Sequence, residues 1–309
     1  MRYTLSRGAV FRGIGLHSGR LVTAWVSPAA PGAGICFYRT DVPGSEGRVP
    51  ARYDLVSDTR LCTKLTNSDG VSVGTVEHLM AALAGCGIDD ATITVDGPEM
   101  PIMDGSSRAF VQRFAAIDRV QHGGERRAIR ILETVGVTRD GKHAALHPAH
   151  SFGVSFAIDF PDRAIGRQAV TVALTRNAFI DELADCRTFG RLDEVEQLRA
   201  AGLGRGGSLE NAVVVDDGRV LNAGGLRRQD EFVRHKALDA VGDLALAGAP
   251  IIGHYEAAKA GHEMTNLLLH ALFAQPEKWC WDDSPNGSMG LTRRRLRAMG
   301  TAEPRAVAV

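Results

Sequence analysis

The residue pattern at 231–248 indicates a buried helix with one narrow polar stripe. At about 100° per residue, a helix places His235, Asp239 and Asp243 on one face with Lys236 beside them, whereas most other positions are apolar. His235 and Asp239 lie one turn apart, so their Cβ atoms would be about 5–6 Å apart and both side chains could bind one metal ion. For such a pair taken alone, an ordinary solvated face is the favoured interpretation, and a second segment of the chain changes the balance.

That second segment is a predicted helix with two adjacent polar residues. Thr75 is expected to cap it, and residues 76–84 are apolar except for Glu77 and His78. Buried polar groups need partners, and a metal ion would satisfy a neutral imidazole while leaving the carboxylate free to hold a water molecule. A core histidine bonded to a backbone carbonyl would be the favoured interpretation if this helix were the only candidate site.

Short runs of β-forming residues, separated by glycine and proline, predict the remaining architecture. Strands are expected at 4–11, 21–26, 35–38, 91–95, 128–138, 142–146, 152–160, 212–215 and 251–258. Further helices are expected at 107–116, 178–184 and 192–200 and from about His262. Each half of the chain therefore runs from a β-rich region through a histidine-bearing helix to a strand and another helix. This repetition predicts an α+β fold of two similar halves whose ligand helices face each other.

A chain of 309 residues exceeds the size at which single cores usually divide, so two domains are expected. Residues 121–127 interrupt the apolar pattern and are the best linker. The predicted boundaries are 1–122, 127–275 and a C-terminal extension of unassigned role at 276–309. The extension contains a basic run at 293–297, which allows at most peripheral contact with an anionic membrane surface.

Composition excludes several classes of protein. The 36 basic and 36 acidic side chains give no net charge, so nucleic acid is not an expected partner. Five widely spaced cysteines without a CxxC pair suit a reducing cytosol. Without an apolar signal segment or about 18 consecutive apolar residues, we expect a cytoplasmic, soluble protein. The sequence contains no heptad pattern that would indicate a coiled-coil partner, so a monomer is expected.

The polar residues of the helices predict a catalytic metal site. Three protein ligands with an open fourth position are typical of catalytic zinc, and His78, His235 and Asp239 supply that set. Nitrogen and oxygen donors favour Zn²⁺, although Fe²⁺ is possible. A water molecule activated by such a metal would hydrolyse an amide or ester, with Glu77 as general base and His262 as proton donor.

Six segments of the chain resemble those of the UDP-3-O-acyl-N-acetylglucosamine deacetylase family. They are TVEHLMAALAG, PEMPIMDGS, RTFG, GSLENAVVVDD, DEFVRHKALDAVGDL and KAGH, in this order within residues 3–275. The resemblance implies two two-layer sheet/helix domains, with helices packed between them and the metal site at their interface. It also implies that the protein catalyses the committed step of lipid A biosynthesis in Gram-negative bacteria.

Residue roles follow from the same resemblance. It implies zinc on His78, His235 and Asp239, Glu77 as general base, and His262 as general acid with Asp243 in support. Thr188 would hydrogen-bond the developing oxyanion, and Lys236 would meet oxyanion or phosphate. Two residues, Lys142 and Phe160, are similar to those that contact the UDP group. Four are expected along a passage for the acyl chain: Leu16, Phe189, Val195 and Leu209.

Three functions are therefore considered. The leading hypothesis is a zinc-dependent deacetylase that removes acetate from UDP-3-O-(3-hydroxyacyl)-N-acetylglucosamine. The first alternative is a zinc amidohydrolase acting on another acetamido sugar. The second is a non-catalytic nucleotide-sugar binding module, which would need neither Glu77 nor His262.

Overall fold

The computed structural model describes residues 1–283 and contains two five-stranded mixed sheets with the same strand order. The strands of the first half are β1 (Arg2–Leu5), β2 (Ala9–Ile14), β3 (Leu21–Pro28), β4 (Ile35–Arg39), β5 (Arg48–Pro50), β6 (Val56–Asp58), β7 (Lys64–Thr66), β8 (Ser72–Val73), β9 (Ala91–Val95) and β10 (Arg119–His122). Those of the second half are β11 (Ala128–Ile131), β12 (Val135–Arg139), β13 (Lys142–His147), β14 (Gly153–Asp159), β15 (Arg167–Ala173), β16 (Phe189–Arg191), β17 (Val213–Asp216), β18 (Arg219–Val220), β19 (Ile251–Ile252), β20 (His254–Ala258) and β21 (Trp279–Asp282).

Six α-helices accompany these strands in the described part of the chain. They are α1 (Glu77–Cys86), α2 (Arg108–Ile117), α3 (Arg176–Ala178), α4 (Leu192–Ala200), α5 (Glu231–Leu244) and α6 (His262–Phe273). A π-helical segment, Phe179–Leu183, continues α3. Short 3₁₀ turns cover Gly44–Gly47, Tyr53–Leu55, Ala245–Ala247 and Pro276–Lys278.

The repetition expected from the sequence is present in the sheet topology. The first sheet has the order β2-β3-β9-β4-β5 and the second has the order β12-β13-β20-β14-β15. In each sheet one pair is parallel, β4 with β9 or β14 with β20, and the other neighbours are antiparallel. The five-stranded sheet of each half receives four strands in chain order, ending with β5 or β15. A three-stranded sheet, β6-β7-β8 or β16-β17-β18, then precedes the helix that carries predicted metal ligands. The expected mixed α+β class is confirmed.

Helices α1 and α5 pack closely against each other and connect the two halves. On the side of the first half, α1 contacts α2, which packs on β2; on the side of the second half, α5 contacts α6, β14 and β15. Gly242 of α5 permits this close approach, because a β-carbon there would overlap the Glu77 carbonyl oxygen of α1. Gly87, with φ of 69°, ends α1 in a left-handed cap.

The prediction that Thr75 caps α1 is wrong. Val76 occupies the N-cap position without a side-chain bond, and Thr75 has a positive φ of 54°. Its hydroxyl lies 3.3 Å from Glu99 Oε2, the oxygen to which it donates. Ser107 stands at the N-cap position of α2, but its hydroxyl donates to the His78 carbonyl instead of capping the helix. In both cases a long-range tertiary partner displaces the local capping bond.

Four predicted segments differ from the structure, because the residue pattern does not show which sheet a residue joins. The expected strand 251–258 is divided into β19 and β20, which belong to different sheets. The expected strand 128–138 is divided into β11 and β12, which belong to different sheets. The strand expected at 4–11 is interrupted between β1 and β2. Part of the predicted linker lies in β10, which pairs with β1, so only 123–127 connects the halves without regular structure.

The end of the described chain joins the second half. β21 pairs antiparallel with β11, next to β19. Within residues 1–283, no helix has the length and apolar character needed to cross a membrane. The basic run at 293–297 lies outside the described residues.

Candidate metal centre and active site

Two helices bring the three predicted metal ligands together. His78 lies on the first turn of α1, and His235 and Asp239 lie one turn apart on α5. The Nε2 atoms of His78 and His235 are 3.5 Å and 3.3 Å from Asp239 Oδ1. All three residues are buried, and the two imidazole rings meet edge to face with centroids 5.0 Å apart.

The surroundings of His235 leave one ring nitrogen free for a metal. Its Nδ1 is 3.0 Å from the Cys186 carbonyl oxygen, so Nδ1 carries the proton and Nε2 keeps its lone pair. Burial lowers the pKa of His235 to about 4, so the ring is neutral near pH 7. A neutral imidazole is the form that coordinates metals.

An unsatisfied atom in the group fits a metal ion. Asp239 Oδ1, which lies within 3.5 Å of the Nε2 atoms of both histidines, is buried without a hydrogen-bond partner among the described residues, which is costly for a polar atom. The other Asp239 oxygen accepts a bond from Lys236 Nζ at 3.1 Å. The two distances from an imidazole Nε2 to Asp239 Oδ1, 3.5 Å and 3.3 Å, are close to the edge of a tetrahedron with 2.0–2.1 Å bonds, which is about 3.3–3.4 Å. Atoms of all three residues lie within 4.8 Å of one another, and the group can hold a metal.

A second cluster of titratable residues lies beside this group. His262, at the start of α6, has Nδ1 2.8 Å from Asp243 Oδ2. Burial lowers the pKa of His262, but the charge and hydrogen bond of Asp243 outweigh it and raise the pKa to about 9. The imidazole is therefore cationic at neutral pH. Glu77 is also buried, and burial raises the pKa of its carboxyl.

A cavity of about 790 Å³ opens onto these residues and falls within the usual size range of small-molecule sites. It is lined by five of the predicted catalytic or metal-binding residues, namely Thr188, His235, Lys236, Asp239 and His262. All six predicted substrate-binding residues line it as well: Leu16, Lys142, Phe160, Phe189, Val195 and Leu209. The remaining three, Glu77, His78 and Asp243, are buried and are not among its lining residues.

The aromatic residues join the cavity to the metal group. The Phe189 ring centroid is 5.7 Å from that of Phe160 and 6.2 Å from that of His235. Leu209 is 48% exposed, so it lies at a wetter part of the cavity wall than the buried ligands. The structure thus brings the sequence-predicted residues into one region.

Several residues at the site were not found from the sequence. Thr63 donates its backbone N–H to Glu77 Oε2 at 3.0 Å and its hydroxyl to Asp243 Oδ1 at 2.5 Å. The second of these contacts spans 180 positions, and no local pattern signals it. Three arginines that no motif marked also line the cavity: Arg60, Arg191 and Arg199.

Two acidic residues of the loop between β9 and α2 have structural partners. Glu99 accepts hydrogen bonds from the backbone N–H groups of His17 and Ser18 at 3.1 Å and 2.7 Å. Asp104 accepts a bond from Arg227 at 2.9 Å. Neither residue lines the cavity.

A mixed α+β fold with a buried His-His-Asp group next to a cationic histidine and a large cavity is typical of a metal-dependent hydrolase. A model of the LpxC family, described as UDP-3-O-acyl N-acetylglycosamine deacetylase, matches residues 2–274. The chain belongs to this family, and the predicted enzyme class, a deacetylase, is confirmed.

Individual relatives give the same result. A UDP-3-O-acyl-N-acetylglucosamine deacetylase of Phenylobacterium zucineum is 52% identical over 278 residues, which is 90% of this chain and 95% of the relative. Enzymes of the same name from Shewanella sediminis and Haemophilus influenzae are 46% and 45% identical. These matches cover 86% and 89% of this chain and 88% and 91% of the relatives.

Proposed function

We propose that the chain is a zinc-dependent hydrolase that removes acetate from UDP-3-O-(3-hydroxyacyl)-N-acetylglucosamine, the committed step of lipid A biosynthesis. Family membership supports the substrate class. The observation that carries the reaction type is the buried group of His78, His235 and Asp239 next to a cavity that His262 also lines.

The donor set supports zinc as the metal. Two imidazole nitrogens and one carboxylate oxygen, without a thiolate, suit Zn²⁺, and Fe²⁺ accepts the same donors. When bound, such an ion lowers the pKa of a water molecule and polarises a carbonyl oxygen.

The chain's own residues would move the protons and stabilise charge. Glu77 accepts a proton from the water as its oxygen adds to the acetamide carbonyl carbon. The Thr188 hydroxyl and the Lys236 ammonium group stabilise the negative charge that develops on the former carbonyl oxygen. His262 donates a proton to the sugar nitrogen as the C–N bond breaks, giving acetate and a free amine. Asp243 holds the Nδ1 proton of His262, which leaves the Nε2 proton for this transfer.

The substrate would lie across the cavity. Lys142 and Phe160 contact the UDP group in this proposal, and the acyl chain lies in a passage formed by Leu16, Phe189, Val195 and Leu209. All six residues line the same cavity, which supports this placement. The Phe160 and Phe189 rings contact each other, so the UDP region and the acyl passage would be adjacent.

We further propose two domains, 1–122 and 127–275, with their helices packed between them and the metal site at the interface. The identical strand order of the two sheets supports this division, as does the supply of ligands from one helix of each half. A monomeric state and a cytoplasmic location are predictions from the sequence.

Metal removal tests the proposed reaction. We expect acetate release from the acylated UDP sugar to stop after chelation and to return with stoichiometric Zn²⁺, because the three ligands leave one position for water. Acetate is measured directly, circular dichroism confirms that the chelated protein stays folded, and Fe²⁺ reconstitution compares the metals. A folded protein that releases no acetate with either metal would contradict the proposal.

A truncated substrate separates the deacetylase from the alternative hydrolase. The de-O-acylated UDP sugar should be turned over much more slowly, because it cannot fill the apolar passage. Equal turnover of both sugars would favour an amidohydrolase for another acetamido sugar.

The Asp243–His262 pair predicts the alkaline limb of the pH–rate profile. His262 must be protonated to act as an acid, so activity should fall as pH rises through its pKa of about 9. Asp243→Asn removes the charge that raises this pKa, and the limb should move to lower pH by at least about one unit. The measurement is kcat from pH 6 to 10 for both proteins. An unmoved limb would mean that another group supplies the proton.

A further inference from the structure

Thr63 lies between Glu77 and Asp243 and contacts both. It follows β6 in the first half and is only 2% exposed. Its backbone N–H donates to Glu77 Oε2 at 3.0 Å, and its hydroxyl donates to Asp243 Oδ1 at 2.5 Å. Its carbonyl oxygen accepts a bond from Val76 N, directly before α1, at 3.3 Å.

These contacts form one continuous chain of hydrogen bonds from base to acid. Asp243 accepts from Thr63 through Oδ1 and contacts His262 Nδ1 through Oδ2. Glu77 on α1, Asp243 on α5 and His262 on α6 are thus joined through a single residue of a loop. Thr63 contacts α1 and α5 directly and is linked to α6 only through Asp243, so its position constrains the relative placement of these helices.

We propose that Thr63 is a positioning residue for the deacetylation reaction. It holds Glu77, the general base, and the Asp243–His262 pair in the relative positions that the reaction needs. This inference rests on the proposed roles of Glu77 and His262. The hydroxyl fixes the rotation of the Asp243 carboxylate, and Asp243 in turn fixes the ring of His262. Without the hydroxyl, Asp243 can rotate, and the proton of His262 is no longer aimed at the leaving nitrogen. Even a small misplacement of a catalytic group lowers the rate strongly.

A second buried threonine, far from the catalytic residues, serves as a control that separates the proposed positioning role from the general effect of removing a buried hydroxyl. Thr4 is also buried, at 5% exposure, and its hydroxyl donates to the Asp90 carbonyl at 2.7 Å. It does not contact the catalytic residues. Thr4→Val removes a comparable buried hydroxyl and should leave kcat unchanged.

The experiment compares Thr63→Val and Thr63→Ser by steady-state acetate release from the zinc-loaded protein. Valine keeps the shape and the backbone N–H but removes the hydroxyl, so kcat should fall about 10- to 100-fold with KM unchanged within twofold. Serine restores the hydroxyl and should recover kcat to within about threefold of the original chain. Thr63→Ala serves as a second deletion if the valine variant folds poorly, and thermal unfolding is followed for all variants.

A double-mutant cycle identifies the route of the effect. If Thr63 acts through Asp243, Thr63→Val should have little further effect on kcat in an Asp243→Ala background. A valine variant with kcat near that of the original chain, or an equal loss in both backgrounds, would overturn the inference. Full activity of Asp243→Ala itself would instead remove the acid pair of the proposed function, so the two failures are distinct.

Discussion

Glu77→Gln is expected to reduce kcat by about 10²–10⁴-fold, the usual contribution of a general base. The glutamine side chain has the same shape and its oxygen can still accept the Thr63 N–H bond, so α1 should keep its place. It cannot accept a proton at neutral pH, however. KM and zinc content should change little, because Glu77 is not among the three ligand residues.

The measurements are acetate release, substrate affinity and metal content of the purified variant. Glu256→Gln is the matched control, because Glu256 is exposed on β20 and, within the described residues, its one ion pair is with His147. Its kcat should equal that of the original chain. Normal turnover by a Glu77→Gln protein that binds zinc and substrate would exclude Glu77 as the base.

Gly242→Ala is expected to be both destabilising and harmful to metal binding. A β-carbon at this position would overlap the Glu77 carbonyl oxygen and lie 3.0 Å from Ala81 N, so α1 must move away from α5. Overpacking of this kind costs about 1–3 kcal/mol in the free energy of unfolding, whereas alanine at an exposed helical glycine is favourable by about 1 kcal/mol. The movement separates His78 from His235 and Asp239.

We therefore expect at least a tenfold loss of zinc affinity, measured by competition with a chelating dye, and a lower denaturant midpoint. Gly123→Ala is the control, because no atom lies within 4 Å of the added carbon and the change should stay within about 0.5 kcal/mol. Unchanged zinc affinity in Gly242→Ala would mean that the helix spacing does not set the ligand geometry.

The proposed ligand residues could be predicted without a structure because a helix has a fixed period. The 3.6-residue repeat alone places His235 and Asp239 on one face, and the apolar surroundings of Glu77 and His78 mark an unusual helix. The segment motifs extended this to residues such as Thr188 and Lys142, which have no periodic signal of their own.

Local capping and strand limits were less predictable. Thr75 has the side chain of a good cap, yet its hydroxyl bonds to Glu99 instead, and Ser107 bonds to the backbone of His78. Both choices depend on residues distant in the sequence. An apolar run such as 128–138 likewise contains no information about the turn that divides β11 from β12 and sends them to different sheets.

The sequence by itself determined the α+β class, the two-fold repetition of elements and the chemistry of the metal group, because periodicity and side-chain type are properties of short segments. Only the tertiary structure decided how close α1 and α5 approach, which oxygen of Asp239 is left unpaired, and that Thr63 joins Glu77 to Asp243. These features depend on distances between residues up to 180 positions apart, and such distances are set by packing of the whole chain.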